Sequence, residues 1–191
     1  MTTTLFTNAH IATGEPGSTA ASTLPLQDIL VTDGVFTAFG PGLAQQYEAQ
    51  GGDLAAIEVV DLGGKLVCPP FCDTHLHLDY VFTARKPGAV NESGTLFEGI
   101  QRWSETKSDL TVDEIKQRAK IGIKKEMLHG VQLIRSHADV TDPNLTSLKA
   151  LLELKEELKD TVTLQIVSFP QEGMYTYEGP HGESGAELVE E

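Results

Sequence analysis

The chain has 191 residues, 40% hydrophobic and 22% charged, a balance that fits a globular protein with one sizeable core and excludes a disordered or fibrous one. Its 28 acids against 14 bases give a formal net charge of −14, which argues against a general nucleic-acid binder, because neutralising phosphate takes basic clusters. No apolar run approaches the ~18–20 residues needed to cross a bilayer and no signal-peptide pattern opens the chain, so a reducing, cytoplasmic setting without a membrane partner is expected.

Residues 1–66 read as short strands broken by turns. "TLFTNAHIATG" alternates loosely, and "DILVTDGVFTAFGPG" gives two runs around Asp33-Gly34, a two-residue hairpin signal. Residues 41–56 form a polar excursion, and "IEVVDLGGKLVCPP" returns to strand. The expectation is a β-sandwich-like N-terminal segment over 1–66.

From residue 67 the rhythm becomes strand, helix, strand, helix, strand, which implies a parallel sheet backed by helices. "KLVCPPFCDTHLHL" is the first strand. Thr111 and Glu114 form a T-x-x-E capping box, and Gly130 follows the last turn of that helix after His129. "VQLIRSHADV" (131–140) is the second strand. Asp142-Pro143 supplies an N-cap and a first-turn proline for the next helix, with Leu145, Leu148, Leu152 and Leu158 along one face. "TVTLQIVSFP" (161–170) is the third strand.

Strand alternation puts Asp73, His75, His77 and Asp79 on one face. Two imidazoles so placed can share one divalent ion at the ~2.0–2.1 Å of zinc–nitrogen bonds, or form a hydrogen-bonded pair in a half-buried strand. Asp73 and Asp79 are either partners that orient these imidazoles or ordinary turn and surface carboxylates. Gln171, in "FPQEG", carries a donor and an acceptor that match the lactam edge of a pyrimidine, though a solvent-exposed loop residue is the simpler reading. Glu172 is either a general acid or a surface charge. Arg135, His137 and Asp139 share a face of the second strand. His137 is a third ligand, a pocket-lining residue or, more simply, a structural histidine. Leu96 and Phe97 either cover a ligand or pack against the sheet. His10, His129 and His181 are expected at the surface, and Cys68-x3-Cys72 alone is a weak zinc signal.

Together "DILVTDGVFTAFGPG" and "DLGGKLVCPPFCDTHLHLD" resemble the opening of the amidohydrolase superfamily, a β-sandwich followed by a (β/α)8 barrel whose first strand ends in His-x-His. "SGTLFEGIQRW", "RSHADVTDPNLTSLKALLELKEEL" and "LQIVSFPQEG" closely resemble barrel-type bacterial cytosine deaminases, and the resemblance covers nearly all of residues 28–177. Cys72 stands where the family commonly has an apolar or small residue, a departure expected to be tolerated. The resemblance implies that His75 and His77 bind one divalent zinc or iron ion, that Gln171 contacts the pyrimidine ring, and that the backbone near Leu96 borders the substrate. It implies a metal-dependent hydrolase of non-peptide C–N bonds that releases ammonia from a nitrogen heterocycle and belongs to pyrimidine metabolism. A homo-oligomer of the full-length enzyme is compatible with it. A metal lowers the pKa of its bound water from 15.7 to about 7.

The family's third metal histidine, proton-shuttling glutamate, water-activating histidine and final aspartate lie on barrel strands five to eight, so no catalytic residue is assigned in this chain. About 125 residues follow residue 66, against about 250 for a full barrel, enough for some three βα units over 67–191. The expectation is the N-terminal part of such an enzyme, inactive alone, with an open sheet edge and one uncovered face. A cyclic-amide or s-triazine hydrolase, and a non-catalytic remnant, are the alternatives.

Overall fold

The computed structural model describes residues 2–12 and 24–190, so the end of the first expected strand run, at 13–14, lies outside the described residues, as does Glu191. The chain divides into two units, Met1–Pro69 and Pro70–Glu191.

In the first unit β1 (Thr3–Ile11), β2 (Leu26–Thr32) and β3 (Val35–Gly40) are antiparallel neighbours, while β4 (Glu58–Asp61) and β5 (Leu66–Val67) both run parallel to β1. Asp33 and Gly34 turn the β2–β3 hairpin with φ of 49° and 78°, the left-handed pair that a two-residue turn of this hand requires. The polar excursion contains α1 (Leu43–Ala49), whose first N–H donates to Asp28 Oδ2 at 3.0 Å while Leu43 itself is buried. Among the described residues this unit forms one mixed sheet; a second, facing sheet is not among them.

The second unit carries β6 (Phe71–Leu76), β7 (Val131–Asp139) and β8 (Thr163–Phe169), parallel and in sequential order, with α2 (Leu96–Lys107) and α3 (Val112–Leu128) between β6 and β7 and α4 (Thr146–Glu157) between β7 and β8. A short α5 (Gly185–Glu190) follows. The mixed helix-and-strand class expected from the sequence is present. The capping box at Thr111 is formed in both directions, with Glu114 N–H on Thr111 Oγ1 at 3.2 Å and Thr111 N–H on Glu114 Oε2 at 3.0 Å.

Two local expectations are corrected. Helix α4 begins at Thr146, because Asp142 first closes a turn: its carbonyl accepts from Leu145 N–H and its carboxylate from Asn144 and Thr146 N–H. Its buried stripe is Ser147, Ala150, Leu151 and Leu154, with Leu152 turned outward and 48% exposed, as the 3.6-residue period requires of a position two residues before Leu154. The alternation along β6 also stops early. The β6–β7 register shifts between Asp73 and Leu76, so Asp79 is fully buried whereas His75 is exposed, and the four residues 73, 75, 77 and 79 do not share a face.

The core lies between the sheet and α2, α3 and α4, built on Leu78, Trp103, Ile115, Ile134, Leu151 and Leu154. In β7, Ile134, Ser136 and Ala138 point into it, while Leu133 and Arg135 on the opposite face are exposed. Arg118 on α3 donates to the carbonyls of Asp79 (3.1 Å) and Val81 (2.8 Å), which fastens the segment after β6 to the helix layer.

Candidate metal and substrate site

His75 is the penultimate residue of β6 and His77 directly follows its end. Their Nε2 atoms lie 3.3 Å apart. The His77 Nδ1–H donates to the His137 carbonyl at 3.0 Å, which puts the ring proton on Nδ1 and leaves the Nε2 lone pair free, the tautomer a metal ligand needs. Burial holds this imidazole below the usual histidine range; the His137 carbonyl pulls the other way. The 3.3 Å between the two nitrogens is a separation that one divalent cation could span. The pair therefore fits one divalent cation.

His137 does not join it. Its ring stacks on His75 with centroids 4.1 Å apart and planes 23° from parallel, so the in-plane lone pairs run side by side instead of converging. Among the described residues no group of three or more His, Cys, Asp or Glu side chains is arranged around one metal position. The Asp73 carboxylate accepts from the His75 backbone N–H at 2.9 Å, and that of Asp79 from the Asp139 N–H at 2.8 Å. The bond that sets the His77 ring comes from a main-chain carbonyl. Burial foremost pushes the Asp79 carboxyl up to about 7.

Gln171 and Leu96, 75 residues apart in sequence, line the same cavity of about 540 Å³. Tyr80, Phe82, Ile100 and Trp103 also form its wall. The Tyr80 ring stands between His77 and Trp103, 4.6 Å from the first and 4.5 Å from the second, centroid to centroid, and its hydroxyl donates to Gln171 Oε1 at 3.3 Å. Leu96 and Phe97 are 73% and 82% exposed, so neither packs against the sheet; Leu96 sits at the cavity's lip. The loop before α2 is tied by Glu98, whose carboxylate accepts from the N–H groups of Glu92 (3.1 Å) and Ser93 (2.7 Å) and from the Ser93 hydroxyl. These bonds, the Ser93 hydroxyl first, pull the Glu98 carboxyl down to about 2.

Glu172 pairs with Lys107, and Lys107 also reaches Asp139 Oδ2 at 3.1 Å. Trp103 donates its indole N–H to the same oxygen at 2.6 Å. Sequence reasoning gave Trp103, Lys107 and Tyr80 no role; the available signal was that Trp103 and Lys107 lie four apart on one helix face. His10, expected at the surface, is half-buried and bonded to the Leu24 carbonyl, while Cys68 and Cys72 are free and exposed.

The family model for the amidohydrolase family matches residues 58–190, and the chain belongs to that family. The chain is similar to 5-methylcytosine deaminase from Klebsiella pneumoniae, solved with 5-fluorocytosine, at 38% identity and a TM-score of 0.75 over 96% of this chain and 39% of that one. It is 35% identical over 120 residues to N-isopropylammelide isopropyl amidohydrolase of Pseudomonas sp. (strain ADP), covering 61% of this chain and 30% of the relative. It is 27% identical over 152 residues to pterin deaminase of Rhizobium rhizogenes, covering 77% and 32%. The chain thus spans about a third of the length of these relatives.

Proposed function

We propose that residues 67–191 supply about the first three βα units of a (β/α)8 barrel, and that residues 1–66 belong to its accompanying sandwich. In this reading His75 and His77 hold one divalent zinc or iron ion, and the cavity beside them takes a nitrogen heterocycle. The observation that carries it is that Gln171 and Leu96, with no sequence proximity, line one cavity walled by Tyr80 next to the converging histidines. The Gln171 amide presents a donor and an acceptor to the ring edge, and the Tyr80 hydroxyl on its Oε1 fixes which is which. The aromatic faces of Tyr80 and Trp103 exclude water from that wall. The metal, when bound, supplies hydroxide at neutral pH. The reaction is hydrolytic release of ammonia from the heterocycle, with the remaining catalytic groups outside these residues.

The similarity to a deaminase liganded with 5-fluorocytosine favours a cytosine-like substrate; the similarity to an isopropylammelide hydrolase supports an s-triazine as the second reading. The test is ammonia release from cytosine, isocytosine, creatinine and amino-s-triazines by the metal-loaded protein at the length of these relatives. No release from any of them would end the reading, and release confined to triazines would select the second. Divalent cobalt binding by the 191-residue chain, lost in both His75→Ala and His77→Ala, is expected for the metal pair.

A further inference from the structure

Asp139 is 1% exposed at the end of β7, and its carboxylate gathers five donors from three elements of the fold. Oδ2 accepts from the Trp103 indole N–H at 2.6 Å and the Lys107 ammonium at 3.1 Å, both on α2. Oδ1 accepts from the Thr141 N–H at 2.8 Å, the Thr141 hydroxyl at 2.5 Å and the Gln171 N–H at 3.4 Å. Lys107 bridges onward to the Thr141 hydroxyl at 2.9 Å and to Glu172. Trp103 and Gln171 line the cavity from different elements, α2 and the end of β8. The two groups that would meet a bound ring are thus tied through one buried carboxylate.

We propose that Asp139 is the positioning residue of the heterocycle cavity, its carboxylate holding the Trp103 wall of α2 at a fixed distance from Gln171 at the end of β8. The proposal rests on the reading of this cavity as the heterocycle site. A carboxylate suits the place because it accepts on both oxygens and donates from neither. Asparagine has nearly the same shape but turns one oxygen into a donor. Its amide would then face either the indole N–H and the ammonium, or the N–H groups of Thr141 and Gln171. Donor would meet donor, and one wall would be released.

Trp103 is the sole tryptophan, so its indole proton and its emission report on this joint in the whole 191-residue chain without added label. In the wild type the indole proton is expected to exchange slowly with water. In Asp139→Asn it is expected to exchange rapidly, the emission to shift to the red, and the Kd for 5-fluorocytosine to rise on the order of ten- to a hundred-fold, the usual effect of a small misplacement of a binding group. Thr111→Ala, which loosens the cap of α3 and lies outside the cavity lining, is expected to lower the thermal midpoint with the indole proton still protected and the Kd unchanged, which separates positioning from general loosening. Asp139→Asn with a protected indole proton and the wild-type Kd would overturn the proposal. Should Asp139→Asn fail to fold, Lys107→Met removes the cation that braces the same carboxylate. A weaker Kd and altered Trp103 emission support the proposal there, and wild-type values overturn it. If the wild-type chain binds neither 5-fluorocytosine nor an amino-s-triazine, the functional reading of the cavity fails; the indole exchange, measured without ligand, then decides the joint by itself.

Discussion

Gly122 lies inside α3, in ordinary helical conformation, with its face against Leu78 and Val81. A methyl group added there would meet Leu78 Cδ2 at 3.4 Å and Val81 Cγ2 at 3.6 Å, of which the leucine end can give way and the β-branched valine is stiffer. Alanine in a helix interior is favoured over glycine by about 0.8–1 kcal/mol, and the buried methyl adds up to roughly 0.8 kcal/mol. A shift of a few tenths of an ångström in Leu78 offsets part of this. Gly122→Ala is therefore expected to stabilise the chain by about 0.5–1 kcal/mol. Gly122→Val drives two more carbons into the same contact and is expected to cost about 1–3 kcal/mol by overpacking. The strain would reach the site, since Leu78 directly follows His77 and its N–H donates to Ser136 Oγ at 3.0 Å. Urea denaturation followed by circular dichroism gives the free energies, and cobalt binding by the folded variants gives the effect on the histidine pair. A loss of more than about 1 kcal/mol in Gly122→Ala would refute the balance of terms, because the helix–strand contact would then be too rigid for propensity to count.

Thr111→Ala removes the side-chain half of the α3 capping box and is expected to cost about 1 kcal/mol in urea denaturation, with unchanged ligand binding; a change below the error of the measurement would contradict it. Tyr80→Phe deletes the 3.3 Å bond to Gln171 and keeps the ring stacked on His77; fluorocytosine binding is expected to weaken several-fold while stability drops by no more than about 0.5–1 kcal/mol. Asp79 has its carboxyl raised from 3.8 to about 7, so the folded chain keeps a proton that the unfolded chain releases. Between about pH 4 and 7 the unfolded state binds fewer protons, and stability falls as pH rises, by at most about 4 kcal/mol from this group. Asp79→Asn is expected to remove that fall in the metal-free chain and to be the more stable protein at pH 8. Parallel stability curves at pH 5 and pH 8 for the two proteins would refute it.

Local signals were readable wherever the physics is local. Thr111 and Glu114 meet across one helical turn, Asp33-Gly34 needs only its own left-handed pair, and His75 and His77 are two residues apart. Of the α4 leucines Leu145 is buried and Leu148 and Leu158 pack on the core, while Leu152 alone turns outward because the buried face runs through Leu151 and Leu154; the helix starts late because Asp142 spends its capping groups on a turn before it. Three of the five donors in the Asp139 knot lie 32 to 36 positions from it, and nothing in spacing tells an indole which carboxylate will receive it. Likewise Gln171 reads from sequence as a loop amide, because its partner Tyr80 lies 91 residues earlier.

The order β6-β7-β8 follows the order of synthesis. Each strand pairs with the one before it in sequence, across a helical connection, so no pairing in this sheet skips an element. Lys116 and Lys120 on α3 pair with Glu153 and Glu157 on α4, which ties the two connecting helices to each other. Among the described residues the histidine strand is therefore backed by residues 131–139 alone, and that pairing does not depend on any segment beyond them.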